Sequence, residues 1–282
     1  MTAAPGLVVV TGASTGIGRA TARHLAQAGF YVLAGVRTDA AAETVAAEGV
    51  EPVRIDIADP DQIARLAQRV ADDPEGRPLQ ALVNNAGIAV AAPVEVIPLD
   101  EWRRQFEVNL FGHVAVIQAL LPALIASRGR IVNVSSIGGL VAGPTYGAYS
   151  GSKFALEAVS DALRREVRHL GVEVVLVEPG AIATPIWEKG LATAKGLTDK
   201  MTAEQRERYR QITAAASRRA QQAARDGVPP EQVARVITDA VTARRPRTRY
   251  LVGRDARITA RLAALLPDRV MDRMISGGST RS

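Results

Sequence analysis

Leu7-Val8-Val9-Val10-Thr11-Gly12-Ala13-Ser14-Thr15-Gly16-Ile17-Gly18 decides the fold of this chain. The valine-rich run predicts a strand, and the residues after Gly18 carry helical character through Ala28. Between them Gly12, Gly16 and Gly18 allow a tight turn and let backbone approach a pyrophosphate, whose charge suits the free amides at a helix start. A plain βα turn would use the same glycines, so the rest of the chain must choose between the two.

Outward from that unit, strand and helix alternate. Residues 31–36, 53–57, 81–83, 130–136, 172–177 and 250–252 are short apolar runs that predict strands. Residues 59–72 predict a polar helix with acids at its start, and residues 101–126 a long apolar one whose last turns Pro122 should kink. Helices are also expected from Tyr149 to Leu170 and over residues 231–243. This alternation predicts an α/β protein with a doubly wound, mostly parallel sheet and its site along the C-terminal strand ends. No repeat or low-complexity linker divides the chain, so residues 1–282 are expected to form a single domain.

Composition narrows the function classes. Hydrophobic residues are 47% of 282, against disorder, and aromatics are 4%, so the core must come from Ala, Val, Leu and Ile. The absence of cysteine excludes disulfides and thiolate chemistry, and His24, His113 and His169 lack ligand spacing, so no metal is expected. With no basic leader or apolar run at the start, the expectation is a cytoplasmic protein without a transmembrane span. The net charge of +6 is unevenly placed: residues 1–204 carry 18 basic and 22 acidic groups, residues 205–282 carry 17 and 7. An arginine-rich end short of stacking aromatics does not suit nucleic acid, and no nucleic-acid partner is expected.

Several residues point to chemistry. Tyr149 and Lys153 are four apart, so on a helix they share a face, and an ammonium beside a phenol would draw its pKa down towards the working pH. At the end of the second strand, where an adenosine ribose would be inspected, stand Val36 and Arg37, with no acid before Asp39. A cation there favours a 2′-phosphate, hence NADP(H) over NAD(H). Asp56 and Ile57 follow close to the expected adenine. Asn109 lies beside an apolar stripe and needs hydrogen-bond partners, from backbone or from a site.

With Thr11-Gly12-x-x-x-Gly16-x-Gly18, Asn84-Asn85-Ala86-Gly87, Asn109, Ser136, Tyr149-x-x-x-Lys153 and Pro179-Gly180 in order, the sequence resembles the classical short-chain dehydrogenases/reductases over about residues 6–190. The resemblance implies a Rossmann-type sheet of seven strands and hydride transfer between a nicotinamide and an alcohol or carbonyl carbon. It implies Tyr149 as acid or base, Ser136 orienting the substrate oxygen, Lys153 holding the nicotinamide ribose, and Asn109 supporting a water relay to Lys153. Gly12, Ser14, Thr15, Gly16, Ile17, Gly18, Asn85, Ala86, Gly87, Pro179, Gly180, Ile182 and Thr184 would complete the cofactor site with Arg37, Asp56 and Ile57. Thr15 stands where some NADP-using relatives carry a basic residue, so the NADP expectation rests on Arg37. Tyr149-x-x-Ser152-Lys153-Phe154-Ala155-Leu156-Glu157 and Glu178-Pro179-Gly180 resemble members acting on hydroxysteroids and retinols. The substrate expected is therefore a lipophilic alcohol or ketone, and the assembly a homodimer or homotetramer. A sensor or scaffold without turnover is the competing class, against which the intact Ser136, Tyr149, Lys153 and Asn109 argue.

Two segments carry the remaining expectations. Residues 185–226, directly after the cofactor segment, are the natural lid, with Trp187 placed to meet substrate. Residues 254–282 form an amphipathic extension: Ile258, Leu262, Leu265 and Leu266 share a stripe, and Arg257, Arg261, Arg269 and Arg273 give it a cationic side. A membrane surface would suit that pattern, and so would packing on the domain or on a second subunit.

Overall fold

The computed structural model describes residues 6–276, so the N-terminal expectation and the last residues of the extension lie outside the described part. Seven strands, β1 (Leu7–Val10), β2 (Tyr31–Val36), β3 (Val50–Arg54), β4 (Leu79–Asn84), β5 (Arg130–Val134), β6 (Glu173–Pro179) and β7 (Arg249–Val252), form one sheet in the order β3-β2-β1-β4-β5-β6-β7. Every pairing is parallel, so the sheet is wholly rather than mostly parallel. The chain starts in the middle, winds to one edge, then crosses and winds to the other. That reversal between β1 and β4 opens a crevice at the C-terminal strand ends.

Side-chain alternation divides the core. Val8 and Val10 join Val32, Val83, Val132 and Val175 on one face, under α1 (Gly16–Gln27) and α9 (Pro230–Thr242). Leu7 and Val9 join Leu33, Leu82 and Ile131 on the other, under α3 (Pro60–Ala71) and a helix at Gly112–Ser127. Both faces are covered, which is why the strands read as unbroken apolar runs.

Four elements differ from the sequence expectations. The third strand lies earlier, at Val50–Arg54, leaving Asp56 and Ile57 beyond its end. A short helix, α2 (Asp39–Val45), capped by the Thr38 hydroxyl, fills the connection before it. The long helix is three pieces: α4 (Leu99–Phe106), a π-helical turn at Glu107–Phe111 and α5 (Gly112–Ser127). Its irregularity falls at the π turn carrying Asn109, whereas Pro122 stays inside α5. Finally, the run Leu99–Ser127 contains an 18-residue window of mean hydropathy 1.8, long and apolar enough by length and composition to cross a membrane, although no span was expected. Val116, Ile117, Leu120 and Leu124 spend much of that hydrophobicity on the core, as a buried helix of a globular domain does.

Helix α6, which carries Tyr149 and Lys153, spans Gly147–Val167. Residues 185–226 hold α7 (Ile186–Asp199) and α8 (Ala203–Asp226), and the chain closes with α10 (Arg254–Leu265) and α11 (Asp268–Ser276). A Thr202/Gln205 capping box starts α8, and Glu95 ties its first turns down by accepting from Gln205, Arg208 and Tyr209.

Candidate active site

A cleft of about 470 Å³ runs along the C-terminal ends of the strands. Its floor begins at the glycine turn. Gly12 (φ 66°) and Gly16 (φ 54°) adopt left-handed backbone, and a Cβ on Gly12 would stand 2.7 Å from the Ala86 Cα. Thr11 and Asn85 brace the turn: Oγ1 of Thr11 accepts from the amides of Asn85 and Ala86, and Nδ2 of Asn85 donates to the carbonyls of Thr11 and Gly12. No side chain caps α1, so its first amides are left to whatever enters the cleft. An uncapped helix start behind a bare backbone cradle fits a diphosphate. Gly18 does not line the cleft. A Cβ there would lie 2.3 Å from the Gly12 carbonyl oxygen, so this glycine serves the packing of turn against helix.

Of the other expected cofactor residues, Ser14, Thr15, Ile17, Arg37, Asp56, Ile57, Ala86, Gly87, Pro179, Gly180, Ile182 and Thr184 all line the cleft. Arg37 is exposed at the end of β2 and makes no ion pair among the described residues, while the nearest acid, Asp39, is paired with Arg54. Asp56 turns one carboxylate oxygen to the Ala58 amide. These residues fit a nicotinamide dinucleotide.

Ser136, Tyr149 and Lys153 meet across the middle of the cleft. Ser136 ends the β5 segment, and its Oγ accepts from the Gly138 amide at 3.0 Å, which leaves the hydroxyl proton free to donate elsewhere. Gly138 gives the Tyr149 ring its place: a Cβ there would be 3.1 Å from the ring. Burial pushes the Tyr149 phenol above its ordinary value, offset in part by the Ser136 hydroxyl. Lys153 is buried and its Nζ donates to the Val134 carbonyl at 2.9 Å. Burial brings its pKa down to about 8, against the opposing field of Glu157. The expected drop in the tyrosine pKa from Lys153 is therefore not what this arrangement produces. The ammonium is turned to β5, and desolvation governs the phenol.

Asn109 is fully buried and lies behind the cleft. Its Oδ1 accepts from the Ile88 amide, and its Nδ2 donates to the Ile88 carbonyl and the Ser152 hydroxyl. With its amide group fully engaged, the side chain clamps the Ile88 backbone to α6, and it makes no direct bond to Lys153. Trp187 lines the cleft as expected, and its indole N–H donates to the Ile182 carbonyl, joining α7 to the cofactor segment.

Several groups at the site went unnoticed in the sequence. Tyr146 packs edge-on against Tyr149, with centroids 6.3 Å apart and planes at 74°. Its signal was there, one turn ahead of Tyr149. His113 is buried and its Nε2 is 2.7 Å from the Ala86 carbonyl, which fixes that nitrogen as the donor and leaves Nδ1 bare. Burial first, and then the Lys153 charge, bring its pKa down to about 3, so it braces the Asn84-to-Gly87 segment as a neutral ring. Behind Lys153, Arg249 meets Glu157 at 3.2 Å, Glu178 at 3.1 Å and Asp161 at 3.1 Å. Asp161 has Arg164 as a second partner at 3.0 Å, so the shortage of positive charge falls on the two buried carboxylates, Glu157 and Glu178. Burial and the neighbouring Glu157 push Glu178 up to about 7, so the cluster retains a proton near neutrality. Among the described residues, no group of three His, Asp or Glu side chains is placed to hold a metal ion.

Comparison with known proteins places this geometry. Residues 6–195 match the family described as short chain dehydrogenase. A 3-amino-tetrahydro-pyrrolizinone reductase of Xenorhabdus hominickii is 38% identical, over 89% of this chain and 87% of its own. An NADPH-dependent 3-dehydrocapnine reductase of Ornithobacterium rhinotracheale is 36% identical, over 94% of each chain, and mouse retinol dehydrogenase 5 is 35% identical, over 97% and 89%. Among solved structures, a short chain dehydrogenase from Burkholderia cenocepacia in complex with NADP superposes with a TM-score of 0.74 at 26% identity, covering 97% of this chain and 98% of that one. A short chain dehydrogenase/reductase from Burkholderia phymatum in complex with NAD gives 0.78 at 25% identity, covering 100% and 99%.

Proposed function

This chain belongs to the short-chain dehydrogenases, and from that premise we propose that it is an NADP(H)-dependent oxidoreductase of lipophilic alcohols and ketones. The family and the oxidoreductase class rest on the comparisons. The cofactor preference and the substrate class are our reading, and the observation that carries it is a single cleft with Arg37 at one end and the Ser136, Tyr149 and Lys153 group beneath an apolar roof at the other.

When bound, the nicotinamide supplies the hydride in reduction and accepts it in oxidation. The protein's part is to place the carbonyl and manage its proton. Ser136, whose hydroxyl proton is free, and Tyr149 donate hydrogen bonds to the substrate oxygen as negative charge builds on it. Because burial keeps the phenol protonated at neutral pH, Tyr149 is a ready acid for reduction. Lys153 brings a positive charge to the same cleft and would hold the ribose side of the cofactor. Asn109 and His113 keep the cleft-lining backbone at Ile88 and Ala86 in place.

Arg37 supports NADP(H): a guanidinium with no ion pair among the described residues can grip a 2′-phosphate in bidentate fashion, and the acid that follows it, Asp39, is paired with Arg54. Val141, Tyr146, Ile186, Trp187 and Ile275 line the substrate end and support an apolar ligand. The relatives' names agree on reduction or dehydrogenation and differ on substrate, so the roof rather than the floor must choose. Consumption of NADPH and NADH over a panel of apolar ketones, steroids and retinoids tests the reading. Turnover confined to small hydrophilic carbonyls, or equal use of both cofactors, would refute its finer part.

For partners, we favour a second copy of this chain. α5 is apolar around its circumference, and Phe111 on the turn before it and Phe154 on α6 are both exposed. Ile258, Leu265, Val270 and Met274 are likewise exposed on the C-terminal helices, and peripheral membrane contact there is the lesser reading. Sedimentation of the protein with and without anionic vesicles separates the two.

A further inference from the structure

The end of the chain reaches back into the cofactor wall. β7 stops at Val252, Gly253 turns at φ 107°, and Asp255 in the first turn of α10 directs its carboxylate at the segment following β6. The Ala181 amide donates to Asp255 Oδ2 at 2.8 Å, next to the Gly180 amide, which donates to the Val252 carbonyl at 2.9 Å. Two glycines clear the space. A Cβ on Gly180 would lie 2.2 Å from Asp255 Oδ2, and one on Gly253 2.4 Å from Oδ1. Asp255 makes no ion pair among the described residues, and it lines the cleft beside Gly180, Ala181 and Ile182.

A carboxylate anchoring one backbone amide inside a ligand cleft holds that strip of main chain in a fixed position. The strip leads to Ile182 and Thr184, and Thr184 faces the glycine turn: a Cβ on Gly16 would touch its methyl group at 3.0 Å. We propose that Asp255 is a positioning residue for the nicotinamide cofactor, fixing the Gly180-to-Ile182 backbone and so making cofactor affinity depend on the C-terminal helices. It stands outside the family-matched residues 6–195. The inference rests on the reading that this cleft holds the dinucleotide.

Two measurements test it: site-resolved deuterium exchange at the Ala181 amide in cofactor-free protein, and fluorescence titration with NADPH and NADH. Asp255→Ala should speed exchange at Ala181 and weaken NADPH binding about tenfold or more, the loss expected for a hydrogen bond to a charged group. Asp255→Asn, which keeps an acceptor oxygen, should stay within about threefold of wild type. Gly180→Ala, which crowds the same carboxylate from the other side, should weaken binding as Asp255→Ala does. Unchanged exchange at Ala181 in Asp255→Ala, or faster exchange with unchanged affinity, would overturn the proposal and leave the family reading intact. Failure of the wild-type protein to bind either cofactor would overturn the reading of the cleft, and this proposal with it.

Discussion

One wall of the cleft is made of strand ends, tight turns and the first turns of α6, from the glycine turn through Asn85 and Ser136 to Tyr149 and Lys153, whereas the other is made of the later helices, from Ile186 on α7 to Thr259 on α10 and Ile275 on α11. On the first wall the side chains are locked by short backbone bonds, as at Thr11, Asn85, Asn109 and His113. On the second, helices are tied on by single side chains, as where the Trp187 indole donates to the Ile182 carbonyl and the exposed Asp255 carboxylate accepts from the Ala181 amide. Rigid placement suits proton and hydride transfer, which fail with small displacements, and helices that repack suit a choice among apolar substrates. The two walls should therefore respond differently to substitution.

The largest effect belongs to the first wall. Tyr149→Phe should lower turnover by about 10²–10⁴-fold, the usual range for a lost general acid, while NADPH titration shows binding retained. Turnover within about tenfold of wild type would remove the distinction between the walls. Arg37→Asp comes next. It should weaken NADPH binding by about 10–100-fold, with little loss for NADH, because only the 2′-phosphate meets a charge-assisted partner there.

On the second wall, Trp187→Ala should raise KM for an apolar ketone about tenfold and leave kcat close to wild type, as expected for lost apolar burial. Trp187→Phe keeps a ring and removes the bond to the Ile182 carbonyl, and so separates the two contributions. The smallest effect is a pH dependence beneath the first wall. Glu178 is pushed up from 4.5 to about 7, so the folded state binds its proton more tightly than the unfolded chain does. That contribution to stability is complete below the unfolded value and is lost as pH rises through about 7. Glu178→Gln imitates the protonated form before Glu157, Asp161 and Arg249, so its Tm should rise relative to wild type between pH 5 and pH 8. A constant difference over that range would show that the cluster holds no proton.

The same contrast governs what could be read in the sequence. Glycine turns, the Tyr149 and Lys153 spacing and the strand-ending serines are local patterns, because a turn or one helical face involves residues close in the chain. The parallel sheet followed from the alternation of strand and helix along the chain. Other features depend on distant partners and left no local trace. Arg249 meets Glu157 across 92 positions, Asp255 reaches Ala181 across 74, and His113 braces a carbonyl 27 residues away. Asn109 was visible as a residue, yet its use was not, since a π turn and the Ile88 backbone decide where its amide points. Lys153 shows the same limit. Its spacing to Tyr149 placed the pair correctly on α6, but its ammonium donates its hydrogen bond to the Val134 carbonyl on β5.

Deuterium transfer from C4-deuterated NADPH to an apolar ketone, read by mass spectrometry of the alcohol formed, addresses the chemistry of the first wall most directly. The wild-type protein should place deuterium on the carbinol carbon, and Tyr149→Phe should bind the labelled cofactor while forming almost none of that product. Labelled alcohol formed at equal rates by both proteins would contradict the assignment of Tyr149.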